Sequence, residues 1–514
     1  MTLYNTFKAS RKAHDPNSKG KFLNIYCVYN KSIFKGLKVS DSVFNSKGFS
    51  PNTVYRGDDA IYLCLNSRKA KVKPSNMDKP DDLYYVSRSA TCHVMSLVRS
   101  TKFTQVHVHN MSISHIRDFI LGVEEYDFRV VRGFYKTKPK SYPIDFSFSI
   151  NSMVPSGDLV DPDCEKTDFE KIGFKKILSI ASSVNIAKYV TDQPANVCTV
   201  DKFIKDIQQH TNDKSKITIK RIDDLKREGF GCLVGVGQGA AQEPALVVVE
   251  HRPRPEAPID IAMVGKGIVF DTGGLSIKPS YYMYGMHTDM GGAATVLGAQ
   301  ADLINSDVNF LAVYALAENA VSANSVRPGD ILTSLSGLTV EIKDTDAEGR
   351  LVLCDALTYV QDNYDCHVVL DIATLTGSAA YVGNERYSAV FSNNWLLTYR
   401  WLTAGTRRAE PAWAYPLMQD TKSALKSDRA DLANCSLRGK AGHVVAAVYL
   451  QQFIKPRQRW IHIDCAGSAT NTRELATGVP VQSLIRFAGV VKNLRRLKTD
   501  SSSITRFLKH SYTI

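Results

Sequence analysis

Four short apolar runs, at 245–250, 259–264, 310–316 and 368–372, alternate with stretches of helical character, and this restricts the fold more than any other feature of the chain. The runs are rich in Val, Ile, Leu and Ala and mostly apolar, as strands buried on both faces are. Helix-compatible stretches at 293–303 and 351–361 lie between several of them. Strands alternating with helices predict an α/β domain around a mainly parallel central sheet, with ligand groups at strand ends.

A chain of 514 residues exceeds one domain. Upstream, strand-like runs at 22–29, 60–65, 82–87 and 128–134 mix with helix-compatible stretches at 94–99 and 113–122, which predicts a smaller N-terminal α/β domain over 22–165. His107 and His109 read as alternate positions on one strand face. The segment 151–166 is a Pro-, Asp- and Ser-rich connector, and 169–190 reads as a helix joining the domains. The expected order is a basic flexible tail (1–21), the N-terminal domain (22–165), a connecting helix (166–190), the larger C-terminal domain (191–490) and a second basic tail (491–514). No internal repeat and no long low-complexity tract is visible in the sequence.

Two clusters carry chemistry. Residues 344–350 read Asp-Thr-Asp-Ala-Glu-Gly-Arg, three carboxylates and one guanidinium leading into an apolar run. Carboxylates this close repel one another unless a cation lies between them. In an extended backbone Asp346, Glu348 and Arg350 share one face; the plainer reading is a solvated turn between a strand and a helix. The second cluster places Lys266 and Asp271 around the strand-like run Ile268, Val269 and Phe270, both near the end of one element. Gly273 and Gly274 follow, then Lys278, and Asp289 precedes a helix-compatible run. Gly273 and Gly274 permit positive φ in a tight turn, and Asp289 has the plainer role of a helix cap. A phosphate loop is a poor fit, because the Gly-Lys step lacks the spaced glycine before it and the Ser or Thr after it.

Asp271, Asp289, Asp346 and Glu348 supply enough oxygen donors for two divalent ions with shared ligands. Hard oxygen donors with one nitrogen suit Zn²⁺ or Mn²⁺. Of the two lysines, one beside such ions can become a ligand, and one slightly further away stays charged and can stabilise an oxyanion.

These segments resemble the signatures of the leucyl (cytosol) aminopeptidase family of dinuclear metallopeptidases. The similarity continues through Asp371-Ile372-Ala373-Thr374-Leu375-Thr376-Gly377, with weaker echoes around Asn196, Asn434 and Asp464, and covers roughly 180–490. The resemblance implies that Asp271 and Glu348 bridge two metal ions (Zn²⁺ and/or Mn²⁺). Lys266 and Asp289 would complete one metal site and Asp346 the other. It further implies Lys278 as the electrophile at the scissile carbonyl and Arg350 as the holder of a bicarbonate proton shuttle. Met286, Thr374 and Gly377 match positions lining the pocket for the first side chain, and the backbone at Leu375 would receive the peptide. The implied activity is a metallo-exopeptidase (hydrolase) releasing N-terminal amino acids from short peptides or peptide N-termini, in a homo-hexamer whose active sites face an interior cavity. This chain departs from the family at Asp344, where Asn is usual, and at His443, where a small residue is usual.

Two other classes of function are weighed beside this one. A non-catalytic scaffold on the same fold would usually have lost a ligand or Lys278, and all are present. A nucleic-acid-binding regulatory role would use the net charge of +13, whose basic residues gather at both ends. No zinc finger, RNA-binding signature or interleaved aromatic pattern supports that role, so nucleic acid is not an expected partner. The absence of an eighteen-residue apolar run argues against a transmembrane helix, and the polar N-terminus lacks a secretory core. Ten scattered cysteines without a CxxC pair read as reduced thiols of a cytoplasmic protein.

Overall fold

A computed structural model describes six short strands and four single helical residues before residue 151, and residues 174–494 apart from 384–385, 407, 409, 438–440 and 472–473. The chain divides into two compact units, Met1–Asn185 and Ile186–Ile514. The helix expected between the domains is present as α1 (Phe174–Thr191), and the division falls inside it.

The first unit holds a six-stranded sheet of β1 (Thr6–Ser10), β2 (Leu23–Val28), β3 (Val54–Arg56), β4 (Ala60–Cys64), β5 (Gln105–Met111) and β6 (Asp145–Ile150), in the order β1-β6-β5-β2-β4-β3. Every pairing is parallel except β3 with β4. β1 lies within the stretch expected as a tail; its short Phe-Lys-Ala alternation pairs with β6. His107 and His109 occupy alternate positions on β5. The strand-like runs at 82–87 and 128–134 lie outside the described residues, as does the basic segment 495–514.

The second unit is built on an eight-stranded sheet of β7 (Ser215–Lys220), β8 (Ala245–His251), β9 (Ile259–Asp271), β10 (Phe310–Asn319), β13 (Cys366–Ala373), β14 (Ser388–Ser392), β15 (Ala412–Ala414) and β17 (Trp460–Asp464). Its order is β15-β14-β17-β13-β9-β10-β8-β7. The four central strands β17, β13, β9 and β10 are mutually parallel, and the antiparallel partners lie outside them. All four of the apolar runs read from the sequence are strands of this sheet. A small sheet adds β11 (Ile331–Thr333), β12 (Thr339–Glu341) and β16 (Leu432–Ala433).

Along the chain the helices include α2 (Val200–Gln209), α3 (Ile222–Glu228), α4 (Gly231–Gly237), α5 (Gly291–Leu303), α6 (Gly349–Asn363), α7 (Gly377–Gly383), α8 (Trp395–Thr406), α9 (Gly442–Gln451) and α10 (Val481–Leu494). α5 and α6 are buried almost along their whole length, which is why their sequences show little amphipathic contrast. α5 sits unusually close to the sheet. A Cβ on Gly265 would meet Ala293 Cα at 2.6 Å, and one on Gly292 would meet the Ile372 carbonyl oxygen at 2.2 Å. Glycine at both points lets the helix start directly above β9 and β13.

The packed interior also holds Cys232, Cys354 and Asp355 within reach of one another. The Asp355 carboxylate is spent on structure, accepting the backbone N–H groups of Cys232, Leu233 and Leu335 at 2.8–3.0 Å. Cys198, Cys232, Cys354, Cys366, Cys435 and Cys465 are buried free thiols. Among the described residues no helix is long and apolar enough to cross a membrane.

Candidate active site

Because the central strands run parallel, their C-terminal ends share one edge of the sheet, and polar residues collect there: Asp271 on β9, Asn319 on β10, Thr374 just after β13 and Asp464 on β17. This is the edge where open α/β sheets place their ligands.

Lys266 and Asp271 lie on one strand, with Lys266 in its interior rather than near an end as the sequence suggested. Five residues apart, they would point to opposite faces of a regular strand. The pairing with β10 shifts between Ala317 and Asn319, so that Ile268 faces Ala317 while Asp271 faces Asn319. That bulge adds one residue to β9 and returns Asp271 to the face of Lys266.

The segment 344–350 is not extended, and the shared face expected of Asp346, Glu348 and Arg350 does not form. A turn at Thr345 and Asp346 leads into α6, with Glu348 already at helical angles (φ −82°, ψ −34°). The reading as a turn between strand and helix holds, but the turn is not solvated: Thr345, Glu348 and Arg350 are all buried. Asp289 does not cap α5, since the N-cap position belongs to Met290 and has no side-chain bond. Gly273 and Gly274 adopt φ of +85° and +64°, forming the left-handed turn beneath the cluster.

Each lysine bridges two carboxylates. The Lys266 ammonium donates to Asp289 Oδ1 at 2.9 Å and to the Thr374 carbonyl at 2.9 Å, and lies 2.8 Å from Glu348 Oε1. Lys278 lies 2.9 Å from Asp271 Oδ2 and also pairs with Asp346. Asp271 Oδ1 accepts Gly273 N–H and Asn319 Nδ2, both at 2.8 Å, and Thr374 Oγ1 donates to Asp289 Oδ1 at 2.8 Å.

The carboxylates are short of partners. Glu348 Oε2 is buried and accepts no hydrogen bond; Asp289 Oδ2 and Asp346 Oδ1 face ammonium groups without hydrogen-bond geometry. Four carboxylates face two lysines, so negative charge is in excess. Burial raises the Asp346 carboxyl to about 7, helped by Asp271 and Glu348. Burial likewise lifts Asp289 and Glu348 above the ordinary carboxylate range, against the pull of Lys266. For both lysines burial alone would lower the pKa, yet Asp271, Glu348 and their neighbours outweigh it and hold both ammonium groups charged.

Asp271, Asp289 and Glu348 each bring a carboxylate oxygen within 4.8 Å of the others. Buried oxygens without hydrogen bonds, mutually repelling carboxylates and a compact hard-donor set fit a divalent cation. Arg350 stands one step away. Its Nη1 donates to the Asn434 carbonyl at 2.9 Å, while its buried Nε has no partner, which suits a small anion.

Of the expected lining residues, Thr374 touches the cluster directly. Leu375 offers its backbone beside it, with its N–H given to Asp464 Oδ1 at 3.1 Å. Gly377 opens α7 with open space where its Cβ would be, and half-buried Met286 begins a 3₁₀ turn (Met286–Thr288) that Asp289 follows. Sequence reasoning missed Asn319, which orients Asp271 and also donates to the Thr345 carbonyl at 3.1 Å. Its signal was the pair of polar residues, Glu318 and Asn319, that closes a strand apolar up to that point.

Comparison with known proteins gives the following. The description of the cytosol aminopeptidase family's catalytic domain matches residues 185–485. A probable cytosol aminopeptidase of Phytoplasma australiense is 38% identical over 303 residues, covering 59% of this chain and 62% of that protein. One from Syntrophotalea carbinolica is 41% identical over 315 residues, covering 60% of this chain and 63% of its own. One from Rickettsia bellii is 36% identical over 380 residues, 72% of each. The alignments with the first two thus span a little over three-fifths of those relatives' length.

Proposed function

The chain belongs to the cytosol aminopeptidase family, and from that premise we propose that it is a metal-dependent aminopeptidase that removes N-terminal residues from short peptides. The observation that carries this reading is the buried array of Asp271, Asp289, Asp346 and Glu348, in excess over Lys266 and Lys278 and with oxygens that no hydrogen bond satisfies.

In the proposal Asp271, Glu348, Lys266, Asp289 and Asp346 would hold two divalent ions. The ions, Zn²⁺ or Mn²⁺, would supply Lewis acidity and an acidified water. A nitrogen ligand must be neutral, so Lys266 has to release the proton that its carboxylate neighbours now stabilise. Lys278 remains charged, and its ammonium stabilises the oxyanion that develops at the scissile carbonyl, a preorganised contribution of several kcal/mol. Arg350 would hold a bicarbonate, the proton carrier that the family resemblance implies, on the donors that its contact with Asn434 leaves free. Thr374, Leu375, Gly377 and Met286 line the approach for the first residue of the substrate. A hexameric assembly and a cytoplasmic location belong to the same proposal.

The test is direct. Purified protein is assayed for metal content and for release of leucine from leucinamide with added Zn²⁺ or Mn²⁺. Wild-type protein should bind metal and turn over the substrate, and Glu348→Gln should do neither. Turnover that persists undiminished in Glu348→Gln would sink the two-ion reading.

A further inference from the structure

A line of hydrogen bonds runs from the sheet edge to the start of α9. Asp464, at the end of β17, accepts the Leu375 N–H through Oδ1 and the Thr376 hydroxyl through Oδ2 at 2.7 Å. Thr376 Oγ1 in turn accepts the Ala379 N–H at 3.1 Å and lies 3.3 Å from Ser378 Oγ. Ser378 Oγ accepts the backbone N–H of His443 at 2.7 Å and stands 3.1 Å from His443 Nδ1.

The far end of this line is firmly seated. The His443 ring is nearly buried, with Tyr415 edge-on at 4.8 Å and Phe391 at 6.0 Å. The residue before Gly442 is Ala441 at φ 55°, a left-handed conformation that costs a non-glycine residue and persists only where surrounding contacts impose it. A Cβ on Gly442 would stand 3.2 Å from Ser378 Oγ, so the two segments are in close contact. The near end reaches the carboxylate cluster, because the Thr374 carbonyl holds Lys266 and the Thr374 hydroxyl holds Asp289.

We propose that His443 is a positioning residue: by gripping Ser378 with its backbone N–H and its ring, it fixes segment 374–378 against Asp464 and so sets the pocket that receives the first residue of the substrate. The inference rests on the aminopeptidase reading for its substrate and on the hydrogen bonds alone for its mechanics. The ring supplies what a small side chain cannot, a second contact to Ser378 from a group that neighbouring aromatics hold still. Displacing such a segment by about 1 Å can cost up to a hundredfold in rate.

Three variants test it, read by leucinamide kinetics and by hydrogen exchange at the amides of Leu375 and Ala379. His443→Thr should raise KM about tenfold with kcat changed far less, a loss of ground-state positioning. His443→Asn, whose side-chain amide N–H can donate to Ser378 Oγ from the place of Nδ1, should restore most of the loss. Ser378→Ala, which loses the backbone contact as well as the ring contact, should cost at least as much as His443→Thr, and the double variant should be no worse than Ser378→Ala, since both cut one line. Exchange at Leu375 and Ala379 should quicken about tenfold in His443→Thr, as local opening becomes easier. A lowered melting temperature with unchanged KM and unchanged local exchange would reduce His443 to a packing residue and overturn the inference. If wild-type protein releases no leucine, the aminopeptidase reading fails by itself, and the exchange experiment still decides whether His443 holds the segment.

Discussion

The Asp344 carboxylate accepts the backbone N–H of Asp346 at 2.9 Å, closing a short turn that presents Asp346 to Lys278. Asn and Asp both make this side-chain turn through the same oxygen. The departure from the family's usual Asn is thereby explained as a conservative exchange within a turn. The turn is locked from the other side by Asn434, whose Oδ1 accepts the Lys343 N–H and whose amide donates to the Asp344 carbonyl.

Asp344→Asn should therefore leave thermal unfolding within about 0.5 kcal/mol of wild type, as surface substitutions that keep their bond do. Asp344→Ala should cost about 1 kcal/mol by freeing the Asp346 N–H. Calorimetric unfolding together with Zn²⁺ titration checks both. A tenfold change in metal affinity in Asp344→Asn would mean that its charge, and not its turn, is what the site uses.

Metal binding should stabilise the fold, because carboxylates that repel one another in the protein alone would then share a cation. An ion present at a hundred times its dissociation constant adds about 2.7 kcal/mol of stability. Wild-type protein should melt several degrees higher with added Zn²⁺ or Mn²⁺ and return on chelation. In Asp271→Asn, which weakens a ligand, the shift should largely vanish. An equal shift in both proteins would locate the ion elsewhere.

A second buried charge pair lies behind the site. His462 Nδ1 donates to Asp371 Oδ1 at 2.5 Å, and Trp460 Nε1 donates to Asp371 Oδ2 at 2.7 Å. Burial alone would lower the His462 pKa, but Asp371 outweighs it and the net shift is upward from 6.5. A raised folded-state pKa gives stability that is complete below the unfolded value and is lost as pH rises through the folded one. In Asp371→Asn the main upward cause is gone, and burial together with Arg350 disfavours the charged ring against the weaker pull of Asp464. The two proteins should differ by about 3 kcal/mol at low pH, the cost of breaking a buried pair, and converge as pH rises above neutrality. Parallel stability curves between pH 6 and 9 would show that the ring is neutral throughout.

Much of this was legible in the sequence because the signals were local. Short, mostly apolar runs identified the strands β8, β9, β10 and β13, and two short acidic motifs identified the residues that gather around Lys266 and Lys278. What remained hidden depended on contacts between distant segments. No sequence spacing announces the bulge in β9 that brings Lys266 and Asp271 to one face, since the extra residue is defined only against β10. The helical start at Glu348 was masked by the alternation of acidic residues, which imitates a strand, while burial by α6 and its neighbours decided the outcome. Asn319 and Asp464 act on side chains and backbone distant in sequence, so their roles emerge only when the strand ends are side by side.

Gly349 offers a way to move Lys266 without changing any of the residues that surround the site. A Cβ there would meet Lys266 at its outer atoms, Cε at 2.5 Å and Nζ at 2.6 Å. Those atoms end a flexible side chain, so the clash is relieved by moving the lysine rather than the backbone. Gly349 also opens α6, where alanine is the better helix former by up to about 1 kcal/mol. Gly349→Ala should expel Lys266 from between Asp289 and Glu348, and the loss of those buried pairs should cost about 3 kcal/mol, more than the helix gain returns. On the proposed mechanism, leucinamide turnover should fall by at least about a hundredfold, as misplacement within an active site commonly costs. Retained activity with full metal content would show that Lys266 can leave its place without consequence, and its assignment as a ligand would have to be withdrawn.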